Sequence, residues 1–170
     1  MILAGGVYVS YAQFYVTDGW AEQPLPETAF PGQVNGLCGA RTGDGLFLIT
    51  GLHTGTVPVE VEFPDVEPIL EREWEDAVEV SIGLNGPDLI VLGWAGMSTH
   101  TVRLPAPGPY RVRYCAAGMD EGRRRDTRLE GEDAPDRYRL QFWPAPIGPD
   151  AILRCTSEIA AYWHGNVANI

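Results

Sequence analysis

Residues 77–94 read AVEVSIGLNGPDLIVLGW, and this stretch decides the fold class. Apolar residues from Val78 to Leu84 alternate with polar or small ones, which is the pattern of a strand with one face on a core. Asn85-Gly86 follows as the strongest short-range turn signal of the chain, and an apolar run comes after it. The pattern predicts a β-hairpin that pairs residues 77–84 with residues 88–94.

Alternation of this kind recurs along most of the chain and predicts further strands. They cover residues 7–16, 45–51, 57–63, 100–104, 110–114 and 138–143. Proline and glycine mark the loops between them, including residues 18–36 and 64–74. Many short strands with such turns favour a mainly β fold, namely an antiparallel sandwich or a barrel-like sheet of about eight strands.

Two segments depart from the strand pattern. Residues 119–136 are charged and contain glycine, which predicts a long exposed loop. In residues 150–164, Asp150 can cap a helix whose Ile152, Ile159 and Trp163 lie on one apolar stripe. We therefore expect one C-terminal helix against the sheet, within a single domain that spans residues 1–170.

The composition favours an ordinary globular protein. The chain has 170 residues, of which 45% are hydrophobic, and no stretch reaches the apolar length of a membrane span. The first basic residue is Arg41, so the N-terminus lacks the positive region of a secretion signal. The three cysteines are odd in number and far apart, which argues against a disulfide framework. We expect a cytoplasmic, bacterial protein.

The net charge of −11 is concentrated in one segment. Nine acidic residues lie between Glu60 and Glu79 against the single Arg72, a local net charge of −8. Such a surface repels nucleic acids and anionic membranes and attracts basic partners. We hypothesise that a protein partner with a basic surface binds this segment, through the carboxylates of Glu60, Glu62, Glu71, Glu73, Glu75 and Asp76.

Chemistry-bearing motifs are weak in this chain. Residues 36–40, with Cys38 and a distant His53, resemble a nucleophile elbow only loosely, because that motif requires strand, tight turn and helix. We interpret Cys38 as structural. None of His53, His100 and His164 stands at metal-ligand spacing from another. We predict no cofactor and no metal, and we favour a role without catalysis.

The arginines divide into two groups. Residues 120–139 hold six arginines against seven acidic residues, which indicates a solvated, self-paired loop rather than a phosphate site. Arg111 and Arg113 instead share one face of a predicted strand. We expect both to pair with acidic residues on a neighbouring strand.

Residues 10–14, Ser-Tyr-Ala-Gln-Phe, resemble the opening strand of the competence-protein-J family. Val57-Pro58-Val59 and residues 108–111 are compatible with the strand and turn pattern of that family. Its members inhibit a DNA-entry nuclease, so the resemblance implies a small cytosolic inhibitor or immunity-like protein. Residues 138–164 also resemble the ending of uncharacterised actinobacterial proteins, which carries no function.

The sequence is compatible with three functions. The first is an acidic protein-binding domain, an inhibitor or immunity-like protein that acts on a basic partner such as a nuclease. The alternative is a small-molecule-binding β domain or an enzyme of unrecognised type, with a pocket lined by aromatic residues. The third is a homodimeric module. For the aromatic residues a plain core is the simpler interpretation; they are Tyr8, Tyr11, Phe14, Tyr15, Tyr138, Phe142 and Trp143.

Overall fold

The computed structural model describes residues 3–170, and within that range the chain is built mainly of strands. The strands are β1 (Leu3–Val9), β2 (Gln13–Asp18), β3 (Cys38–Gly39), β4 (Gly45–Ile49), β5 (Gly55–Glu62), β6 (Asp76–Leu84), β7 (Asp88–Leu92), β8 (Thr99–Arg103), β9 (Gly108–Ala117), β10 (Arg137–Pro144) and β11 (Ala151–Arg154). The α-helices are α1 (Pro26–Ala29), α2 (Met119–Arg125) and α3 (Glu158–Gly165).

The strands form two sheets. One has six strands in the order β1-β5-β10-β9-β6-β11, and the other has five in the order β3-β4-β2-β7-β8. Neighbouring strands are antiparallel except β5 and β10, which run parallel. The mainly β, two-sheet architecture agrees with the predicted sandwich. The expected count of about eight strands is too low, and the single predicted helix is accompanied by α1 and α2.

One apolar core joins the two sheets, to which both contribute buried side chains. Phe14 of β2 packs against Tyr114 of β9 and Tyr138 of β10, with ring centroids 6.2 and 6.3 Å apart. The Tyr114 hydroxyl donates a hydrogen bond to the carbonyl of Ile49 at the end of β4, at 2.9 Å. The core therefore lies between the sheets, and most of the aromatic residues belong to it, as expected.

The predicted hairpin of residues 77–84 with 88–94 is wrong. β6 pairs with β9 and β11 in the six-stranded sheet, whereas β7 pairs with β2 and β8 in the other. The backbone N–H groups of Asn85 and Gly86 donate to the carboxylate of Asp18, at 2.8 and 2.9 Å. The Asn-Gly signal thus marks a corner at which the chain crosses between sheets.

The structure divides the single strand predicted for residues 7–16 into two strands. The chain turns between Ser10 and Gln13, which form an isolated bridge, and places β1 and β2 in different sheets. Tyr11 and Ala12 occupy the centre of this turn with φ of 55° and 56°. Left-handed backbone is unfavourable for residues other than glycine, so no local signal announces this turn.

Two helix predictions need correction. Residues 119–136 are not a loop throughout, because they begin with α2, whose Met119 is buried. The C-terminal helix begins at Glu158 rather than after Asp150, and Ser157 caps it by accepting the N–H of Ala160. Residues 151–154 instead form β11 against β6. Aspartate and serine are comparable caps, so sequence alone does not choose between them.

Within residues 3–170, no helix is long and apolar enough to cross a membrane.

The position of α3 depends on a close backbone approach at Gly36. A Cβ at this glycine would overlap the backbone carbonyl group of Trp163. The N–H of Gly36 also donates to Nδ1 of His164 at 3.0 Å. The helix can therefore lie in its observed place only if residue 36 has no side chain.

We expect Gly36→Ala to lower the free energy of unfolding by about 1–3 kcal/mol, because either α3 or the loop must move. Gly165→Ala is the matched control, since nothing lies within 4 Å of a Cβ there. Urea denaturation followed by circular dichroism measures both variants. Equal stability of the two would contradict the packing described.

Candidate functional site

Charged side chains cover the outer face of the six-stranded sheet in rows that run across its strands. Gln141 of β10 lies opposite Glu62 of β5 and opposite Arg113 of β9. Arg113 in turn lies opposite Glu79 of β6. Because side chains alternate along each strand, this row points away from the core that the sheets share. The outer face is thus a cross-strand network of acids and arginines.

Arg113 is the buried centre of this network, with 3% of its side chain exposed. Its Nε and Nη2 donate to Oε1 of Glu79 at 3.0 and 2.7 Å, and Arg111 donates to the other oxygen at 3.1 Å. The remaining donors reach the carbonyl of Pro68 at 2.5 Å and the carboxylate of Glu67 at 3.1 Å. The predicted pairing of Arg111 and Arg113 with a neighbouring strand is confirmed.

Residues 64–75, here called the strap, run across this outer face. Arg139 of β10 donates to Glu71 at 2.5 Å, and also to Glu60 of β5 at 2.6 Å. Arg154 of β11 donates to the backbone carbonyls of Glu71 and Trp74, at 2.9 and 2.5 Å. Arginines from three strands therefore hold the strap from its underside.

Trp74 fastens the end of the strap. Its ring is 2% exposed and packs with Ala77 and Cys115 in a small apolar cluster separate from the main core. The guanidinium carbons of Arg137 and Arg139 lie 4.5 and 4.9 Å from its centroid. Cations over an aromatic face are attracted to it, and a planar guanidinium can in addition stack flat on the ring. The strap is an ordered element despite its lack of regular secondary structure.

The six acids hypothesised as a partner-binding surface have different environments. Glu60, Glu62 and Glu71 all lie within ion-pair distance of Arg139. Glu73 pairs with Arg137 at 3.2 Å, and the exposed Glu75 accepts the N–H of Gly118 at 2.9 Å. Five of the six therefore lie on or beside the strap and engage partners within the chain.

Asp76 is different because it is buried, with 0% exposure. It stands two residues before the core residue Val78 on the same strand, so its side chain points to the core face of the sheet and away from the outer surface. Its carboxylate accepts the Ser157 hydroxyl at 2.6 Å and the N–H of Thr156 at 2.7 Å. Asp76 fixes the start of α3 and is not part of an exposed binding surface.

The fold redistributes the charge of residues 60–79. Five arginines from outside the segment lie against it and reduce its net charge from −8 to −3; they are Arg111, Arg113, Arg137, Arg139 and Arg154. The other −8 of the chain's −11 therefore belongs to the rest of the molecule. Sequence reasoning missed this neutralisation because the arginines are distant along the chain.

A cleft of about 880 Å³ lies at the Tyr11 turn, between residues 50–53 and helices α2 and α3. Its walls include Tyr11, His53, Tyr162 and Trp163, together with charged residues of both helices. The Tyr11 ring lies 5.4 Å from that of His53. Of the aromatic residues weighed as pocket lining, Tyr11 is the one that lines this cleft.

A buried polar network lies behind the cleft at Asp136, which the loop prediction for residues 119–136 missed. The Tyr138 hydroxyl accepts the N–H of Gly51 at 2.7 Å and donates to Oδ2 of Asp136 at 2.5 Å. The N–H of Leu52 donates to the same oxygen at 2.8 Å. Burial raises the pKa of Asp136 above its ordinary value, although the hydrogen bond from Tyr138 opposes the shift.

The structure gives no support to Cys38 as a nucleophile. Cys38 lies in β3 with no exposed surface, and burial raises the pKa of its thiol far above neutrality. Burial also raises the pKa of Cys115 to about 12. Both thiols are therefore protonated at neutral pH, whereas the thiolate is the reactive form. Over residues 3–170, no three His, Cys, Asp or Glu side chains form a group able to hold a metal.

Comparison with known proteins identifies a shared fold. No family model matches the chain, and no curated protein matches it significantly. A solved structure described as crocagin biosynthetic gene J is 14% identical, with a TM-score of 0.59. ComJ from Bacillus subtilis, described as the inhibitor of the DNA degrading activity of NucA, is 11% identical, with a TM-score of 0.54. Each alignment covers 84% of this chain and 96% of the other. The resemblance to the competence-protein-J family is confirmed at the level of the fold.

We expect Arg139→Lys to lower the free energy of unfolding by about 1–2 kcal/mol, although the charge is kept. A lysine ammonium cannot hold two carboxylates in fixed directions while it stacks on Trp74. Arg124→Lys is the control, because Arg124 is exposed and its ion pair is with the exposed Glu121, one helical turn away. Guanidinium denaturation measures both variants. An equal loss of stability in the two would contradict the dependence of the strap on Arg139.

The raised pKa of Asp136 predicts a pH-dependent effect of Asp136→Asn. Burial favours the protonated form of Asp136 in the folded state, so its pKa there lies above the ordinary value of 3.8. Its contribution to stability is complete below 3.8 and is lost as pH rises through the pKa of the folded state. The variant should therefore gain stability relative to the wild type between about pH 4 and about pH 7. Urea denaturation of the wild type and of Asp136→Asn at both pH values tests this, and an equal difference in stability at the two values would contradict it.

Proposed function

We propose that this chain is a protein-binding domain that inhibits or neutralises a partner with a basic surface, such as a nuclease. The observation that carries the proposal is the fold shared with ComJ, a protein described as an inhibitor of a DNA-degrading activity. A shared fold alone does not transfer function, so the charge of the chain is the second support. Proteins that act on DNA carry basic surfaces for phosphate, and a net charge of −11 complements them.

We place the partner-binding surface on the solvent side of the strap and its neighbours Glu60 and Glu62. Glu67 is 67% exposed, and the side chains of Glu71 and Glu73 are each 52% exposed. The apolar Ile69 stands exposed among these carboxylates. Arginines fix the strap from below, so its outer side chains are presented on ordered backbone. Preorganisation of this kind reduces the entropy lost on binding.

The test is capture of partners from native lysate by the immobilised chain at low salt. We expect basic proteins to bind and to elute as salt is raised. The double variant Asp65→Asn with Glu67→Gln should bind them about tenfold more weakly, since two exposed charges of the strap are lost. Addition of the wild-type chain should also slow DNA degradation by the captured fraction.

The matched control removes the same charge elsewhere, in the double variant Glu130→Gln with Asp133→Asn. Both residues are exposed in the segment after α2. If the two double variants capture the same proteins as the wild type, the strap is not the binding surface. If the captured fraction shows no basic proteins, the proposed function fails.

The cleft supports the alternative of a small-molecule-binding domain. Its volume of about 880 Å³ and its aromatic walls suit a compact ligand. The same experiment separates the two functions. A ligand-binding domain would release a small molecule on denaturation, detected by mass spectrometry, and would capture no basic protein.

A further inference from the structure

Trp20 lies outside both the core and the strap, and among the large hydrophobic residues whose burial the structure describes, only Ile69 is more exposed. Its ring is 78% exposed, whereas those of Trp74 and Trp143 are 2% and 4% exposed. Leu25, five residues later, is 50% exposed. An indole ring has a large apolar area that gains free energy when it is covered. Residues 18–27, here called the Trp20 loop, thus present two apolar side chains to solvent.

The Trp20 loop is anchored where it leaves the sheet. The N–H of Gly19 donates to the carbonyl of Asp88 at 2.8 Å, and the N–H of Asp18 donates to that of Asp44 at 3.1 Å. The hydroxyl of Thr17 donates to the carbonyl of Gly19 at 2.7 Å. Pro24 is buried and packs against Gly45. The backbone on either side of Trp20 is therefore held by the sheet, as a docking element requires.

Acidic residues surround this loop without the arginine partners that neutralise the strap. Glu22, Glu27 and Asp44 are exposed, and none of them forms an ion pair within residues 3–170. Asp88 pairs with Arg103 at 3.4 Å, in a pair whose arginine is largely exposed. Exposed pairs of this kind are weak and are easily exchanged. The free carboxylates of this end of the molecule are therefore available to an external cation.

We infer that the Trp20 loop is a docking site for a protein segment that carries arginine or lysine. Tryptophan is the best aromatic partner for a cation, and buried tryptophans dominate the energetics of many interfaces. Glu22 and Glu27 belong to the Trp20 loop and the backbone of Asp44 contacts it at Asp18, so a cationic segment docked on the loop would meet an acidic surface. A second copy of this chain is a poor occupant, because its own acidic loop would be repelled. The inference rests on the proposed function and adds to it a second contact, separate from the strap.

The test is a display selection of random 12-residue peptides on the immobilised chain. We expect the enriched peptides to carry a net positive charge, with arginine or lysine next to an apolar residue. Measured by fluorescence polarisation, these peptides should bind Trp20→Ser at least tenfold more weakly than the wild type. The double variant Glu22→Gln with Asp44→Asn should bind the peptides more weakly, and its affinity should depend less on salt than that of the wild type.

Leu129→Ser is the matched control, since Leu129 is 66% exposed in the segment between α2 and β10 and lines neither the cleft nor the Trp20 loop. It should bind the peptides as the wild type does. Neutral or acidic peptides, or equal binding to Trp20→Ser, would overturn the inference. So would dimerisation of the wild type that Trp20→Ser abolishes, as seen by light scattering.

The two proposals fail in different ways. If lysate proteins are captured by Trp20→Ser as by the wild type but lost by the strap variant, the proposed function stands and the Trp20 site does not. If capture requires Trp20 but the chain leaves DNA degradation unchanged, the docking site stands and the inhibitory role does not.

Discussion

The guanidinium of Arg113 is buried between the six-stranded sheet and the strap. A buried charge destabilises the fold unless an opposite charge and hydrogen-bond acceptors surround it. Glu79 supplies the opposite charge, but it cannot accept all five N–H donors. The carbonyl of Pro68 and the carboxylate of Glu67 accept two more of them, and both acceptors belong to the strap, which therefore lies over β9. Once the strap is in place, Trp74 is buried against Arg137 and Arg139. The organisation of this whole face follows from one buried cation.

All twelve basic residues of the chain are arginine, and the strap uses what distinguishes arginine from lysine. A guanidinium offers donors in several fixed directions in one plane and stacks its face on an aromatic ring. Arg139 does both, since it donates to Glu60 and Glu71 while it lies over Trp74. An ammonium would satisfy the charge without the directions. The network therefore depends on the residue type and not only on the sign of the charge.

The two acidic regions differ in what their carboxylates do. Those of the strap are largely engaged by arginines, so they hold an ordered loop and keep only part of their charge for a partner. Near Trp20, Glu22, Glu27 and Asp44 form no ion pair within the described residues, and Asp88 forms a largely exposed one with Arg103. The net charge of a surface determines how strongly it attracts a basic partner at a distance. The affinity of the complex depends more on the apolar side chains that the partner buries. The Trp20 loop offers both, and the strap offers exposed Ile69 on a more neutral surface.

Residue alternation alone determined the mainly β architecture, most strand positions and the cross-strand pairing of Arg111 and Arg113, because these depend on neighbours at a period of two. Only the tertiary structure decided strand partners, since the Asn85-Gly86 corner is set by Asp18, 67 residues away along the chain. It also decided the surface charge of residues 60–79. Their arginine partners stand from 32 to 83 residues further along the chain, and a local count of charges cannot include them. Electrostatic interactions depend on distance in space, which sequence order does not report.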